Sequence, residues 1–205
     1  MTDRPVIFSS PMIRALLENR KTMTRRLAWH PTKKNIFGAP WPTPWQKVRP
    51  GDRLWVREAW RIEGCGSGVS AEACRIYRGP GREIEYRADE YKPVPWMERS
   101  PIHMPRWASR ITLVVTETKI ERVQAISVED AIAEGCDGRK TVRQFALFGS
   151  KGEKRKQIIR LHAPGDFADL WCSLHGPAAW DDNPEVVALR FEVHKVNIDR
   201  MQEAA

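Results

Sequence analysis

The sequence predicts an α+β fold, because stretches whose apolar residues alternate are interspersed with stretches whose apolar residues recur at helical spacing. Three observations carry this. Over 53–60, Leu54, Val56, Glu58 and Trp60 share one face of a strand. Over 187–196, Val187, Leu189, Phe191 and Val193 alternate with Arg190 and Glu192. Over 166–175, Phe167, Leu170, Trp171 and Leu174 form one helical stripe, with Asp166 as N-cap and Gly176-Pro177 as the stop.

The remaining elements follow in order. Residues 4–9 read as a strand with Val6 and Phe8 on one side. Ser10 then supplies an N-cap and Pro11 the first helical position. Ile13, Leu16 and Leu17 share one face of that helix, Arg14 and Glu18 pair on the other, and Asn19 ends it. Residues 29–50 are proline-rich, with W-P-T-P-W at 41–45, and read as an irregular loop that no helix or central strand crosses. Residues 62–100 read as a glycine-punctuated excursion whose best strand is 83–88. A β-branched strand is expected at 111–116. Ser127 starts a helix that has Glu129 and Asp130 in its first turn and Gly135 as its stop. The whole is expected to be one domain with insertions near 29–50, 62–100 and 136–165, the last carrying the basic run K-G-E-K-R-K at 151–156.

At 205 residues the chain can bury a sizeable core. Its net charge of +8 and pI near 9.6 favour a polyanionic partner. Nine tryptophans can fill cores or stack on unpaired bases. No signal peptide and no membrane span are read in the sequence, so a cytoplasmic protein without membrane contact is expected, monomeric in preference to oligomeric. Cys65, Cys74, Cys136 and Cys172 lack C-x-x-C spacing and are expected to be free thiols; neither metal nor cofactor is expected.

Four features invite chemistry. Asn19 to Arg26 reads N-R-K-T-M-T-R-R and places Arg20, Lys21, Arg25 and Arg26 together, a cluster that is either solvated at a helix exit or aimed at an anion. Arg106, Trp107 and Arg110 interleave cations with an aromatic ring. Glu58, on an apolar strand face, must be paired with a cation or line a cavity. Glu134 falls in the last turn of its helix, where the dipole disfavours an anion by about 0.3–1 kcal/mol, and this suits either proton transfer or pairing with a cation.

Taken together, N-R-K-T-M-T-R-R at 19–26, P-G-D-R-L-W-V-R-E-A-W at 50–60, I-H-M-P-R-W-A-S-R-I-T-L at 102–113, E-D-A-I-A-E-G at 129–135 and W-D-D-N-P at 180–184 resemble the ASCH-domain proteins carried by phages and prophages, a branch of the PUA-like superfamily. The resemblance implies a small β-barrel with peripheral helices and a cleft facing RNA or a modified nucleoside. Within that wider family a small amidohydrolase cleaves N4-acetylcytidine with a lysine and a threonine of a K-T-x-T-x-R stretch and a glutamate of a later helix. The matching positions here are Lys21, Thr24 and Glu134. Asn19 stands where many relatives have glycine, and T-R-R replaces T-x-R. The resemblance therefore implies hydrolysis of an acylated nucleoside, with Lys21 as base, Thr24 as nucleophile and Glu134 serving the leaving amine. Arg25 and Arg26 would bind an anion, and Glu58, Trp60, Arg106, Trp107 and Arg110 would line the substrate or RNA. A non-catalytic RNA-binding module and a single-strand ribonuclease are the alternatives. Lysine and threonine three apart share a face only if the chain keeps a helical turn there; a strand would point them apart.

Overall fold

The computed structural model describes residues 1–76, 83–89, 95, 97–137 and 152–202. The chain divides into two compact units, Met1–Asn19 with Gly51–Val115 and Glu192–Ala205, and Arg20–Pro50 with Thr116–Phe191. Both belong to the mixed α+β class, with a multi-stranded sheet and few helices. Among the described residues the strands do not close into a barrel.

In the first unit, β1 (Asp3–Ile7) pairs in parallel with β5 (Arg53–Arg57), and β5 pairs antiparallel with the opening residues of β8 (Thr112–Arg122). Val6, Leu54, Val56 and Leu113 are buried as expected, but Arg53 and Trp55 are buried too, so β5 is covered on both faces instead of alternating. The strand expected over 53–60 is interrupted after Arg57, and Trp60 begins β6 (Trp60–Ile62), which pairs with β7 (Ile84–Tyr86). Helix α1 (Ser10–Leu17) is capped by Ser9 rather than Ser10, and Asn19 leaves it at φ 56°, the left-handed conformation that asparagine tolerates. The 62–100 excursion also contains α2 (Ala71–Ile76), which glycine punctuation on either side concealed; its glycines at 79 and 81 lie outside the described residues. Trp60, Ile62, Met104 and Ala108 form a core here together with Cys65 and Cys74. Those two cysteines are joined as a disulfide. This corrects the expectation of four free thiols: the pair is nine residues apart, so the absence of C-x-x-C spacing was no guide.

In the second unit, β2 (Met23–Leu27) pairs antiparallel with β9 (Glu185–His194), from Met23 opposite Arg190 to Leu27 opposite Val186. Val186 to Leu189 are all buried, so β9 is covered on both faces there instead of alternating. The proline-rich stretch is not an irregular loop: β3 (Trp29–Lys34) and β4 (Pro40–Pro42) make a separate two-stranded ribbon, where proline is tolerated because each strand has a free edge. Helix α3 (Val128–Ala133) starts as expected, with Ser127 Oγ accepting from the Asp130 amide at 3.1 Å. After α4 (Gly152–Leu161), α5 (Ala163–His175) begins before Asp166, whose side chain lies buried in the first turn and not at the cap. Phe167 and Trp171 join the core with Val123, Ala131 and Val186, whereas Leu174 is exposed. Of the basic run, Lys151 lies outside the described residues. Cys136 is a free, buried thiol, pushed up to about 12 by that burial, with the Glu134 charge adding to it, and is therefore unreactive. Among the described residues no helix is long and apolar enough to cross a membrane.

Candidate functional site

In the second unit two backbone bonds fix the basic cluster beside α3. The Thr22 amide donates to the Ala133 carbonyl at 2.8 Å, and the Phe191 amide donates to the Thr22 carbonyl at 2.9 Å. Lys21 therefore lies against the carbonyl end of α3, where a cation is favoured. Its Nζ donates to Glu134 Oε2 at 2.7 Å and to the Glu134 carbonyl at 2.9 Å. Both residues are enclosed, Lys21 being 0% and Glu134 4% exposed. The acid that the helix dipole disfavours thus has a cation bound to it, and the same cation satisfies a terminal carbonyl.

Arg25 extends this pair into a network. Its guanidinium reaches Glu134 Oε1 at 3.4 Å, Glu121 Oε1 at 2.7 Å and Asp130 Oδ2 at 2.7 Å, with its plane over the Phe167 ring. Asp130 also accepts from Lys119 at 2.9 Å and from Arg190 at 2.9 Å. Burial alone would raise the Asp130 carboxyl, but its bonds to Lys119 and Arg25 outweigh that and hold it below the usual carboxylate range. Lys119 is raised in turn, chiefly by Asp130 and against its own partial burial. The arginine expected to bind an anion is therefore already neutralised by carboxylates of its own chain. Spacing did not single out Asp130, Glu121, Lys119 or Arg190; the one legible signal was an acid in the first turn of a helix.

Thr24 is 4% exposed and sits in β2 opposite Leu189. The helical turn that would align it with Lys21 is not formed, because the chain is extended from Met23. Strand alternation sends the Thr24 side chain to the face of β2 opposite that of Arg25, and no hydrogen bond engages its hydroxyl among the described residues. Arg26, one residue on, stacks over Trp45 with its guanidinium 5.5 Å from the ring centre. The structure thus brings Lys21, Glu134 and Arg25 together and leaves Thr24 apart from their contacts.

Acid stability follows from the network. Because the Asp130 carboxyl is lowered on folding, its contribution is complete above its unfolded value, about 3.9, and is lost as pH falls through the folded value. Asp3, lowered in the first unit by Arg53 and Arg106 against burial, acts in the same direction. The unfolding midpoint is expected to drop below about pH 4. That drop should be shallower in Asp130→Asn, measured by circular dichroism across pH 2–6.

The first unit holds the other predicted residues. Glu58 is 1% exposed and grips Arg110 through two bonds, Nε to Oε1 at 2.9 Å and Nη2 to Oε2 at 3.1 Å. Arg110 also bonds Asp89 at 2.8 Å and lies 3.9 Å above the Tyr86 ring. Burial pushes the Glu58 carboxyl above its ordinary value, and Arg110 offsets only part of this. Of the two outcomes open to Glu58, the structure realises the ion pair. Trp60 is fully buried, packed edge-on against Trp107 at 6.1 Å, so its ring is core and cannot stack on a base. Arg106 pairs with Asp3 and Asp199, each at 2.7 Å. A cleft of about 470 Å³ opens beside Tyr86, Trp107, Arg110 and Asn197, and its rim carries Lys195 and Arg200, exposed cations that the sequence reading missed. Comparison of the chain with protein-family models, with curated proteins and with solved structures finds no match.

Proposed function

We propose that this chain is an ASCH-type protein of the PUA-like class that hydrolyses an amide on a modified nucleoside, of the N4-acetylcytidine kind, with Lys21 and Glu134 as its proton-handling pair. One observation carries the reading. The lysine and the glutamate that the resemblance selects, 113 positions apart, meet inside the second unit at 2.7 Å. In the reaction water adds across the amide bond: its hydroxyl goes to the acyl carbon and its proton to the exocyclic nitrogen, releasing a carboxylic acid and the free amine. Two groups in direct contact, one a donor and one an acceptor, suit the paired proton movements this requires. Arg25 and the Glu134 carbonyl fix the pair's orientation. Thr24, buried on the opposite face of β2, takes no part in this pair.

Purified protein is expected to release cytidine from N4-acetylcytidine, followed by chromatography. Glu134→Gln and Lys21→Arg are expected to lower the rate by 10²-fold or more, the usual loss for general acid–base groups. Each variant's unfolding midpoint separates lost chemistry from lost fold. Absence of turnover, or an unchanged rate in both variants while they remain folded, would remove the hydrolase reading. A second reading, a non-catalytic RNA-binding module, is favoured by the first unit's cleft, where Lys195 and Arg200 stand beside Trp107 and Tyr86.

A further inference from the structure

The proline-rich ribbon of the second unit is used by neither reading. Residues 29–50 contain four cations, Lys33, Lys34, Lys47 and Arg49, and no aspartate or glutamate, in a chain that is more than one-tenth acidic. Lys33, Lys34 and Lys47 are exposed and have no ion-pair partner among the described residues. The ribbon also presents Trp29, Ile36, Phe37 and Trp41 to solvent, the two tip residues being 93% and 87% exposed. An apolar tip so fully exposed is uncommon on a surface with no partner.

The tip is a built turn. Asn35 Oδ1 accepts from the Phe37 amide at 2.9 Å and from the Ala39 amide at 3.0 Å, the Asn35 amide donates to the Ala39 carbonyl at 2.8 Å, and Gly38 takes φ 79°. The His30 ring accepts from the Lys33 amide at 3.2 Å, which stiffens the lysine-bearing strand. At the foot of the ribbon lies a hollow of about 420 Å³ walled by Trp29, His30, Pro40, Trp171, His175 and Asp182, and the Trp29 indole donates to Glu185 Oε2 at 2.7 Å. The His175 and Trp171 rings stack with centroids 4.2 Å apart. Burial, reinforced by the Arg26 charge, keeps His175 below its ordinary value, so its ring adds a neutral aromatic face to the wall at pH 7.

We infer that the β3–β4 ribbon and the hollow at its foot form a docking site for single-stranded nucleic acid. Lys33 and Lys34 meet backbone phosphates, Phe37 stacks on an unpaired base, and the hollow receives another. Each part matches what such sites need: cations along the backbone path, and ring faces that accept any base. The ribbon itself carries no carboxylate to repel a polyanion, and the acids at its foot are Asp182 and Glu185, the latter engaged by the Trp29 indole. The site goes beyond the proposed hydrolase and stands without it, since binding here requires no turnover.

The test is fluorescence anisotropy of a labelled twelve-nucleotide oligouridine at 50 mM and 200 mM salt, with the full chain and with Lys33→Ala/Lys34→Ala, Phe37→Ala and Lys21→Arg. The wild type is expected to bind, with affinity that falls as salt rises. The double lysine variant should reduce the slope of log affinity against log salt by about 1.4, at about 0.7 per phosphate contact. Phe37→Ala should weaken binding about 5- to 150-fold, the loss of one stacked base. Lys21→Arg should bind as the wild type does, so that failed hydrolysis and failed docking are told apart. All three ribbon side chains are exposed, and unchanged unfolding midpoints confirm that the variants are folded. The inference is overturned if the oligonucleotide does not bind at 50 mM salt, if both ribbon variants bind it normally, or if the ribbon instead captures anionic phosphatidylserine vesicles while the oligonucleotide stays free.

Discussion

Replacing Glu134 by alanine is expected to destabilise the protein by about 3–5 kcal/mol, the cost of removing one partner from a buried ion pair. Lys21 is fully enclosed and gives its shortest bond to the lost carboxylate; the Glu134 main-chain carbonyl would remain as an acceptor but carries no charge to balance the ammonium. Arg25 loses only the longest of its three ion pairs, so the damage should centre on Lys21. Urea denaturation followed by circular dichroism measures the change. The double variant Lys21→Met/Glu134→Leu supplies the control: with both charges gone and apolar volume in place, much of the loss should be recovered. If Glu134→Ala unfolds at the wild-type midpoint, the pair is worth little and the network is not what holds β2 to α3.

Replacing Arg110 by methionine is expected to cost a similar amount at pH 7, about 3–5 kcal/mol, because Glu58 would be left buried without its cation. Here pH separates the electrostatic cause from lost packing over Tyr86. Burial already raises the Glu58 carboxyl above its unfolded value, so between those two values the folded state holds more protons and stability falls as pH rises. Without Arg110 the folded value climbs further and the falling window widens towards neutrality. The deficit of Arg110→Met should therefore shrink as pH is lowered from 7 to 5, read from urea midpoints, while a packing defect would be independent of pH over that range. Asp130 and Asp3 act with the opposite sign, but only below about pH 4, so they do not mask the effect.

Both cases show where sequence reasoning stops. Glu58 on an apolar strand face and Glu134 at a helix end were each conspicuous because their position carries a physical cost, and a cost implies a compensating partner. Naming the partner is a different problem. Arg110 lies 52 positions from Glu58, and Lys21 lies 113 from Glu134; neither separation follows from any local period. The basic cluster shows the same limit. Its four cations suggested a surface for an anion, yet Glu121 and Asp130 come from β8 and α3 to occupy Arg25.

By itself the sequence determined the α+β class, the core faces of β1, β5 and α1, the start of α3 at Ser127, and the two acids that needed partners. Those features depend on local spacing, on side-chain volume and on the unsatisfied groups at a helix end, all of which are written in consecutive residues. Only the tertiary structure decided that residues 29–42 carry a two-stranded ribbon, that β9 is covered on both faces, that Cys65 joins Cys74, and which cations are neutralised and which stay free. Those outcomes depend on what packs against a segment from elsewhere in the chain. The charge on Arg25 and the charge on Lys33 are alike in sequence; three carboxylates surround the first, and the second faces water with no ion-pair partner among the described residues.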